Sequence, residues 1–300
     1  MKWRGRIAQQ VPMAGHVSWK AGGDASQAIW PADLDELCAW LKSAAGGQPL
    51  LFVGAGSNLL VRDGGFAGTV VFSRPGLMAL RVETQAPAKG YRRLYAGAGV
   101  SGAELAAYAA VQGLTGLEFL AGIPGTVGGA LVGNAGCFSS EAWDSVASVQ
   151  VVQRGGGLAV RSAAEYEIGY REAKLVEPSE EWFVGVWFDL RERDGSLARQ
   201  TIDEFLARRA ASQPLEEANA GRVFRNPAGQ VAAALIEQAG MAGQGSGNAQ
   251  VSRRHANFIV NRGGATAAEI EGLIAEVRQA VKQQCGIELM VEATIVGSAK

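Results

Sequence analysis

A single carboxylate, Glu292, interrupts the apolar run that extends from Leu289 to Val296. Buried in such a strand, it would have a raised pKa and could exchange protons near neutrality; on an edge strand it would simply meet solvent. Arg171 follows Gly169-Tyr170 in a partly apolar segment. A positioned guanidinium suits a developing enolate or a carboxylate, while a surface ion pair is the commoner role for a lone arginine. His255 lies among Gln250, Arg254, Asn257 and Asn261, a polar group that suggests ligand contact. By itself it reads equally as a structural histidine.

Three glycine-rich segments could receive what those side chains act on. Between Gly116 and Gly136 seven glycines alternate with Leu117, Phe119, Leu120, Ile123, Val127, Leu131 and Val132. Glycine permits close approach of backbone and positive φ, so this stretch predicts a wall of backbone against a flat or phosphorylated ligand, or a loop crowded by packing. Ile123-Pro124-Gly125-Thr126 adds a tight turn. Gly54-Ala55-Gly56-Ser57-Asn58 follows the apolar Leu50–Val53 and precedes Leu59-Leu60-Val61. A strand on each side contradicts a dinucleotide fingerprint, which needs a helix after its glycines, but a glycine turn can still offer amides and a hydroxyl to a phosphate. Gly97 to Gly102 is a literal GxGxxG before a helix, yet no acidic residue follows on a strand at the distance a ribose requires.

Composition narrows the classes. The 300 residues are 48% hydrophobic and 19% charged, with a net charge of −1. That describes a soluble globular chain of two or three domains with no field for nucleic acid or anionic membrane. Three isolated cysteines fit a reducing compartment, and two histidines leave little for a zinc or iron site, so no metal is expected. The basic N-terminus lacks the apolar core of a signal peptide, and no 18-residue uncharged apolar span occurs. The expectation is a cytoplasmic protein without a membrane partner.

The elements that must position these residues follow from periodicity and capping. Asp33 and Glu36 predict a capping box for a helix with its stripe on Leu34, Leu37, Cys38 and Leu41, ended by Gly46-Gly47. Strands are predicted at Thr69–Phe72, Leu94–Ala96, Val149–Val152, Leu158–Val160 and Trp182–Leu190. Ser101 and Glu104 cap the helix after GxGxxG. The turn-forming Arg191 to Gly195 reads as a domain boundary, after which Thr201 and Glu204 predict a new helix cap. A strand is predicted within Val251–Val260 and another over Ile287–Val296. Between them Thr266 and Glu269 cap the longest helix, with a stripe on Ile270, Leu273, Ile274, Val277 and Val281 and a stop at Gly286. Residues 1–30 carry no clear assignment.

Taken in order, GAGSNLLVRDGG, LEFLAGIPGTVGGALVGNAG, GYR, QPLE, VFRNPAG, AQVSRRHANFIVN and the terminal glutamate strand resemble the UDP-N-acetylenolpyruvoylglucosamine reductase family. The resemblance covers nearly the whole chain, and the compact final third is similar to the family's shorter, type II class. It implies an α+β fold: a two-lobed FAD-binding domain of the vanillyl-alcohol-oxidase type, residues 1–73 and 74–195, then an α+β substrate domain, residues 196–300. It further implies non-covalent FAD, NADPH as reductant, a UDP-sugar enolpyruvyl ether as the small-molecule substrate, and a monomer. On that reading Gly54, Ala55, Gly56, Ser57 and Asn58 hold the pyrophosphate, while Gly99, Ile123, Pro124, Gly125, Thr126 and Gly129 wall the flavin. Arg171 and Glu292 match the pair that stabilises the enolic intermediate. Tyr170, Asn226, Gln250, Arg254 and His255 fall where substrate is held.

One position departs from the family. A serine, sometimes a cysteine, precedes Val-Phe and protonates the intermediate; here Arg222 stands before Val223-Phe224. A guanidinium is a poor proton donor, and Gln213 to Gly245 contains no Ser, Thr, Cys, Tyr or His. The expectation is that flavin reduction survives while reduction of the enolpyruvyl group is impaired, with Arg222 long enough to pair with Glu292. A non-catalytic flavin- or nucleotide-binding homologue, or another oxidoreductase of the same flavin fold, stands as the alternative.

Overall fold

The computed structural model describes residues 3–44 and 47–300. The chain divides into two compact units: Met1–Ala8, Ile29–Gly54 and Val70–Arg208 form one, and Gln9–Ala28, Ala55–Thr69 and Arg209–Lys300 the other. A four-stranded sheet takes Arg6–Pro12, Asp24–Trp30, Phe66–Phe72 and Leu50–Val53 in that order.

The first unit is built on an antiparallel sheet ordered Leu158–Ser162, Val146–Gln153, Glu181–Glu192, Tyr91–Gly97 and Leu80–Val82. Glu181–Glu192 is its central strand, and its inner face buries Val186, Phe188 and Leu190 with Leu94, Ala96, Val149 and Val151. Burial of each such side chain contributes about 1.5–3 kcal/mol. Helix α1, Leu34–Ala44, lays Leu37, Cys38 and Leu41 on a second cluster with Val71, Val152 and Val184. Its predicted stop includes Gly46, which lies outside the described residues. Only half of the predicted box forms: Asp33 Oδ1 accepts from the Glu36 amide at 2.9 Å. The Glu36 carboxylate turns instead to the amides of Ala32 at 2.6 Å and Gly5 at 3.0 Å. Helix α2, Gly102–Val111, carries the complete Ser101–Glu104 box. The long glycine stretch is helical in part, with a short 3₁₀ turn at Glu118–Gly122 and helix α3 at Val127–Val132.

Helix α4, Gly195–Ser212, corrects the predicted start at Thr201. Asp194 Oδ1 accepts from the Ser196 amide at 2.8 Å and caps the helix about two turns earlier. Thr201 is therefore interior, and its hydroxyl donates back to the Leu197 carbonyl at 3.0 Å, which is what a mid-helix threonine does when no free amide faces it.

The second unit packs helices α5, Ala232–Gln238, and α6, Ala267–Cys285, on an antiparallel sheet ordered Ala218–Asn219, Ile259–Asn261, Ala249–Val251 and Gly245–Ser246. The Thr266–Glu269 box, the buried stripe and a left-handed Gly286 at φ 70° all stand as predicted for α6. Asp63 adds to this start, its carboxylate accepting from the Ala267 and Ala268 amides at 3.0 and 2.9 Å.

Two strands predicted in this unit are revised. The range Val251–Val260 holds the ends of two strands, Ala249–Val251 and Ile259–Asn261, because Ser252 to Phe258 forms the bend of a hairpin in which the Ser252 amide donates to the Phe258 carbonyl at 2.8 Å. Ile287–Val296 is regular only at Thr294–Val296, which pairs in parallel with Leu59–Val61. Just before it, Val291 bridges Phe224 in antiparallel sense. The segment changes partner at Ala293. Among the described residues no helix is long and apolar enough to cross a membrane, and no group of three or more His, Cys, Asp or Glu could hold a metal ion.

Candidate active site

In the second unit the change of partner at Ala293 gathers three of the sequence-predicted positions. The Glu292 amide donates to the Val223 carbonyl at 2.7 Å, and its own carbonyl accepts from Asn58 Nδ2 at 3.1 Å. The Thr294 amide then donates to the Asn58 carbonyl at 2.9 Å. Residue 58 of the glycine loop, residue 292 and the segment after Arg222 are thus joined by hydrogen bonds to backbone, one of them from the Asn58 side chain. The loop itself is fixed by Gly56, at φ 62° with a missing Cβ that would lie 2.1 Å from the His16 carbonyl oxygen. Any larger residue there would meet both strain and a backbone clash. Glu292 is half-buried.

Asn257 clamps the other side of the Arg222 segment. Its Oδ1 accepts from the Phe224 amide at 2.9 Å, its Nδ2 donates to the Phe224 carbonyl at 2.8 Å, and its carbonyl accepts from the Val223 amide at 2.9 Å. The side chain is buried. Asn257→Ala leaves both Phe224 backbone groups without that partner, and a loss of about 2–4 kcal/mol is expected. Urea unfolding would show it as a lower midpoint at unchanged m.

His255 lies at the bend of the same hairpin, half-buried, with Nδ1 accepting from the Asn257 amide at 3.2 Å and its ring edge-on to Phe258. Burial first, and then the nearby Arg222 cation, hold the imidazole below its ordinary pKa. An accepting Nδ1 puts the ring proton on Nε2, so the neutral ring presents a donor rather than a base there. Arg222 is half-buried. The charge of Arg222 acts on His255, since the hairpin carrying His255 and Asn257 is the element clamped to residues 223 and 224.

The remaining residues expected to hold substrate are spread over both units. Asn226 Oδ1 accepts from the Ala232 amide at 3.0 Å at the start of α5. Gln250 Nε2 donates to the Gly243 carbonyl at 3.0 Å. The Arg254 guanidinium meets Glu216 at 3.1 Å and also donates to the Ala210 carbonyl. Tyr170 belongs to the first unit, exposed, with the Arg171 guanidinium 5.4 Å from its ring centre.

In the first unit most of the glycines are explained by the protein itself. A Cβ on Gly54 would lie 2.1 Å from Thr126 Oγ1, one on Gly99 2.4 Å from the Ser73 carbonyl oxygen, and one on Gly102 2.5 Å from that of Leu120. The GxGxxG glycines therefore serve close backbone packing. Val127 and Gly128 donate their amides to the Val100 and Ala98 carbonyls at 2.8 and 2.9 Å, so this part of the predicted amide wall is spent on protein. Gly129 differs: it is exposed, and nothing stands nearer its missing Cβ than Thr126 Oγ1 at 4.0 Å. Pro124 is exposed beside it, Ile123 half-buried, and Gly125 takes φ 127°. Ser73 Oγ, next to Gly99, is buried and has no hydrogen-bond partner in the structure. A bare backbone surface and an unsatisfied buried hydroxyl fit a planar, polar-edged group such as a flavin.

Arg171 is anchored in the same unit. It occupies the second place of the two-residue turn between Tyr166–Gly169 and Glu172–Leu175, at φ 60°. Its Nη2 donates to the Gly136 carbonyl at 2.8 Å and Nη1 to that of Asn134 at 3.4 Å. Ser73, Asn134 and Glu141 escaped the sequence reading. Only the Asn in the Gly-Asn-Ala-Gly end of the glycine stretch gave a signal, as a residue that tolerates positive φ.

Residues 25–162 match the family described as FAD binding domain, and residues 213–296 the C-terminal domain of UDP-N-acetylenolpyruvoylglucosamine reductase. A UDP-N-acetylenolpyruvoylglucosamine reductase of Thiobacillus denitrificans is 48% identical across 98% of this chain and 93% of its own length. One from Methylococcus capsulatus is 47% identical over 99% and 95%. The crystal structure of the reductase from Thermus caldophilus superposes with a TM-score of 0.79 at 30% identity, covering 98% of this chain and 99% of that one. The α+β fold with an FAD-binding domain, read from the sequence, is the fold these proteins share. Identity of this extent over whole chains, on the elements just described, places the protein in the UDP-N-acetylenolpyruvoylglucosamine reductase family.

Proposed function

We propose that the chain uses NADPH to reduce the enolpyruvyl ether of a UDP-N-acetylglucosamine, giving UDP-N-acetylmuramate for peptidoglycan precursors, in the cytoplasm and as a monomer. Residues 1–73 and 74–195 act as the two flavin lobes and 196–300 as the substrate domain. FAD, when bound, would supply hydride-transfer chemistry between NADPH and the enolpyruvyl carbon. Ala55, Gly56, Ser57 and Asn58, with Gly54, hold its pyrophosphate; Gly99 and Ile123 to Thr126, with Gly129, face its ring.

Hydride addition leaves negative charge on the substrate beside its carboxylate. The Arg171 guanidinium neutralises that charge, and Glu292 takes part in placing the proton that completes the reaction. Asn226, Gln250, Arg254, Tyr170 and neutral His255 orient the sugar nucleotide. Arg222 supplies charge at the place of a proton donor and no transferable proton, so the second half-reaction is slow. The observation that supports this reading is the hydrogen-bonded array joining the Asn58 side chain, the Glu292 backbone and Val223. It holds a phosphate-type loop, the lone carboxylate and the departing position in one array.

An absorbance titration tests it. The purified protein is expected to be yellow and to release its flavin on acid precipitation. NADPH should bleach it, and the enolpyruvyl nucleotide should restore the colour. A colourless protein that takes up no FAD would end the proposal.

A further inference from the structure

Four of the six non-glycine residues with positive φ among the described residues are Asn134, Phe138, Ser139 and Arg171. Strained backbone of this kind persists only where its surroundings over-determine it, and it gathers at functional sites. Here the four share one hydrogen-bonded network. Phe138 and Ser139 form the two-residue turn of a hairpin that pairs Gly136 with Glu141. Phe138 is held there by stacking on Phe205, ring centres 4.0 Å apart.

Asn134 is the hub. Its side chain is fully buried, and both polar ends are used. Nδ2 donates to Glu141 Oε2 at 2.7 Å and to the Gly169 carbonyl at 3.0 Å, while Oδ1 accepts from the Trp143 amide at 3.3 Å. The Gly169 carbonyl opens the turn that ends in Arg171. The carbonyls that receive the Arg171 guanidinium belong to Asn134 itself and to Gly136, the residue paired with Glu141. One side chain therefore fixes both the backbone that carries Arg171 and the carbonyls that aim it.

We propose that Asn134, braced by Glu141, is the positioning residue for Arg171. This rests on the catalytic role given to Arg171 above. Misplacing a group that acts on developing charge by about 1 Å can cost up to about 10²-fold in rate, whereas a group not used in flavin reduction costs that step nothing.

Two half-reactions followed by stopped-flow absorbance separate positioning from general damage. Asn134→Ala is expected to slow reoxidation of the flavin by the enolpyruvyl nucleotide about 10- to 100-fold, with reduction by NADPH unchanged. Glu141→Gln, which keeps the shape and weakens the charged bond, should shift the same step in the same direction by less. Side-chain ¹⁵N spectra of the arginine-labelled protein, assigned with Arg171→Lys, need no turnover. Hydrogen exchange at the Arg171 guanidinium should quicken at least about tenfold in both variants as its carbonyl acceptors loosen. Unchanged exchange and reoxidation in a folded variant would overturn the proposal, as would both half-reactions falling together. Should Asn134→Ala fail to fold, Glu141→Gln decides. A parent protein that binds no flavin removes the function proposed above, while the exchange measurement still judges the positioning.

Discussion

Arg222→Ser is expected to accelerate reoxidation of the reduced flavin by the enolpyruvyl nucleotide by about 10²- to 10⁴-fold, the usual worth of a positioned general acid. Reduction by NADPH should not change. The guanidinium cannot give up a proton at neutral pH, and the clamp around Val223 and Phe224 leaves residue 222 no freedom to be replaced by a neighbour. The clamp is made of backbone and Asn257, so a shorter side chain at 222 leaves it intact. The same substitution has a second reading. Without the Arg222 charge the His255 pKa should rise toward its ordinary value, visible in the pH titration of its ring proton resonances. The sign of the stability effect follows. A histidine depressed in the folded state contributes stability that is present above the unfolded pKa and fades as pH falls through the folded one. Part of the loss of stability on acidification should therefore disappear in the variant. Turnover unchanged by the serine would mean that water or Glu292 already delivers the proton.

Glu292→Gln should lower the same step by about 10²- to 10⁴-fold while leaving the unfolding free energy from urea titration within about 0.5 kcal/mol of the parent. The fold grips residue 292 by its amide and its carbonyl, through Val223 and Asn58. Those bonds survive when the carboxylate becomes an amide of the same shape. A drop in activity accompanied by a comparable drop in stability would instead assign Glu292 a structural task. Flavin content, read from the absorbance of the folded variant, should stay constant, because the side chain is exchanged and the loop at Asn58 is not.

Much of this was legible in the residues. Capping and periodicity placed α6 and α2 because those signals are local: a threonine or serine three residues before a glutamate, a stripe every three or four residues, a glycine at the end. The same rule failed at Thr201, where an aspartate seven residues upstream had already started the helix. The glycine motifs announced crowding and could not tell which surface does the crowding. For Gly99 and Gly102 it is the chain's own carbonyls; for Gly129 the protein leaves the space open.

By itself the sequence determined the strongly capped and periodic elements such as α2 and α6, which polar residues are out of place, and the substitution at 222, since each depends on neighbours a few positions away. Only the tertiary structure decided that the last strand changes partners beside Glu292, that burial and the Arg222 cation hold His255 below its ordinary pKa, and that Arg171 is bent into a left-handed turn under the hold of Asn134. Those outcomes depend on groups tens to hundreds of residues apart competing for the same backbone donors and acceptors. A linear pattern of residue types does not encode which of them wins.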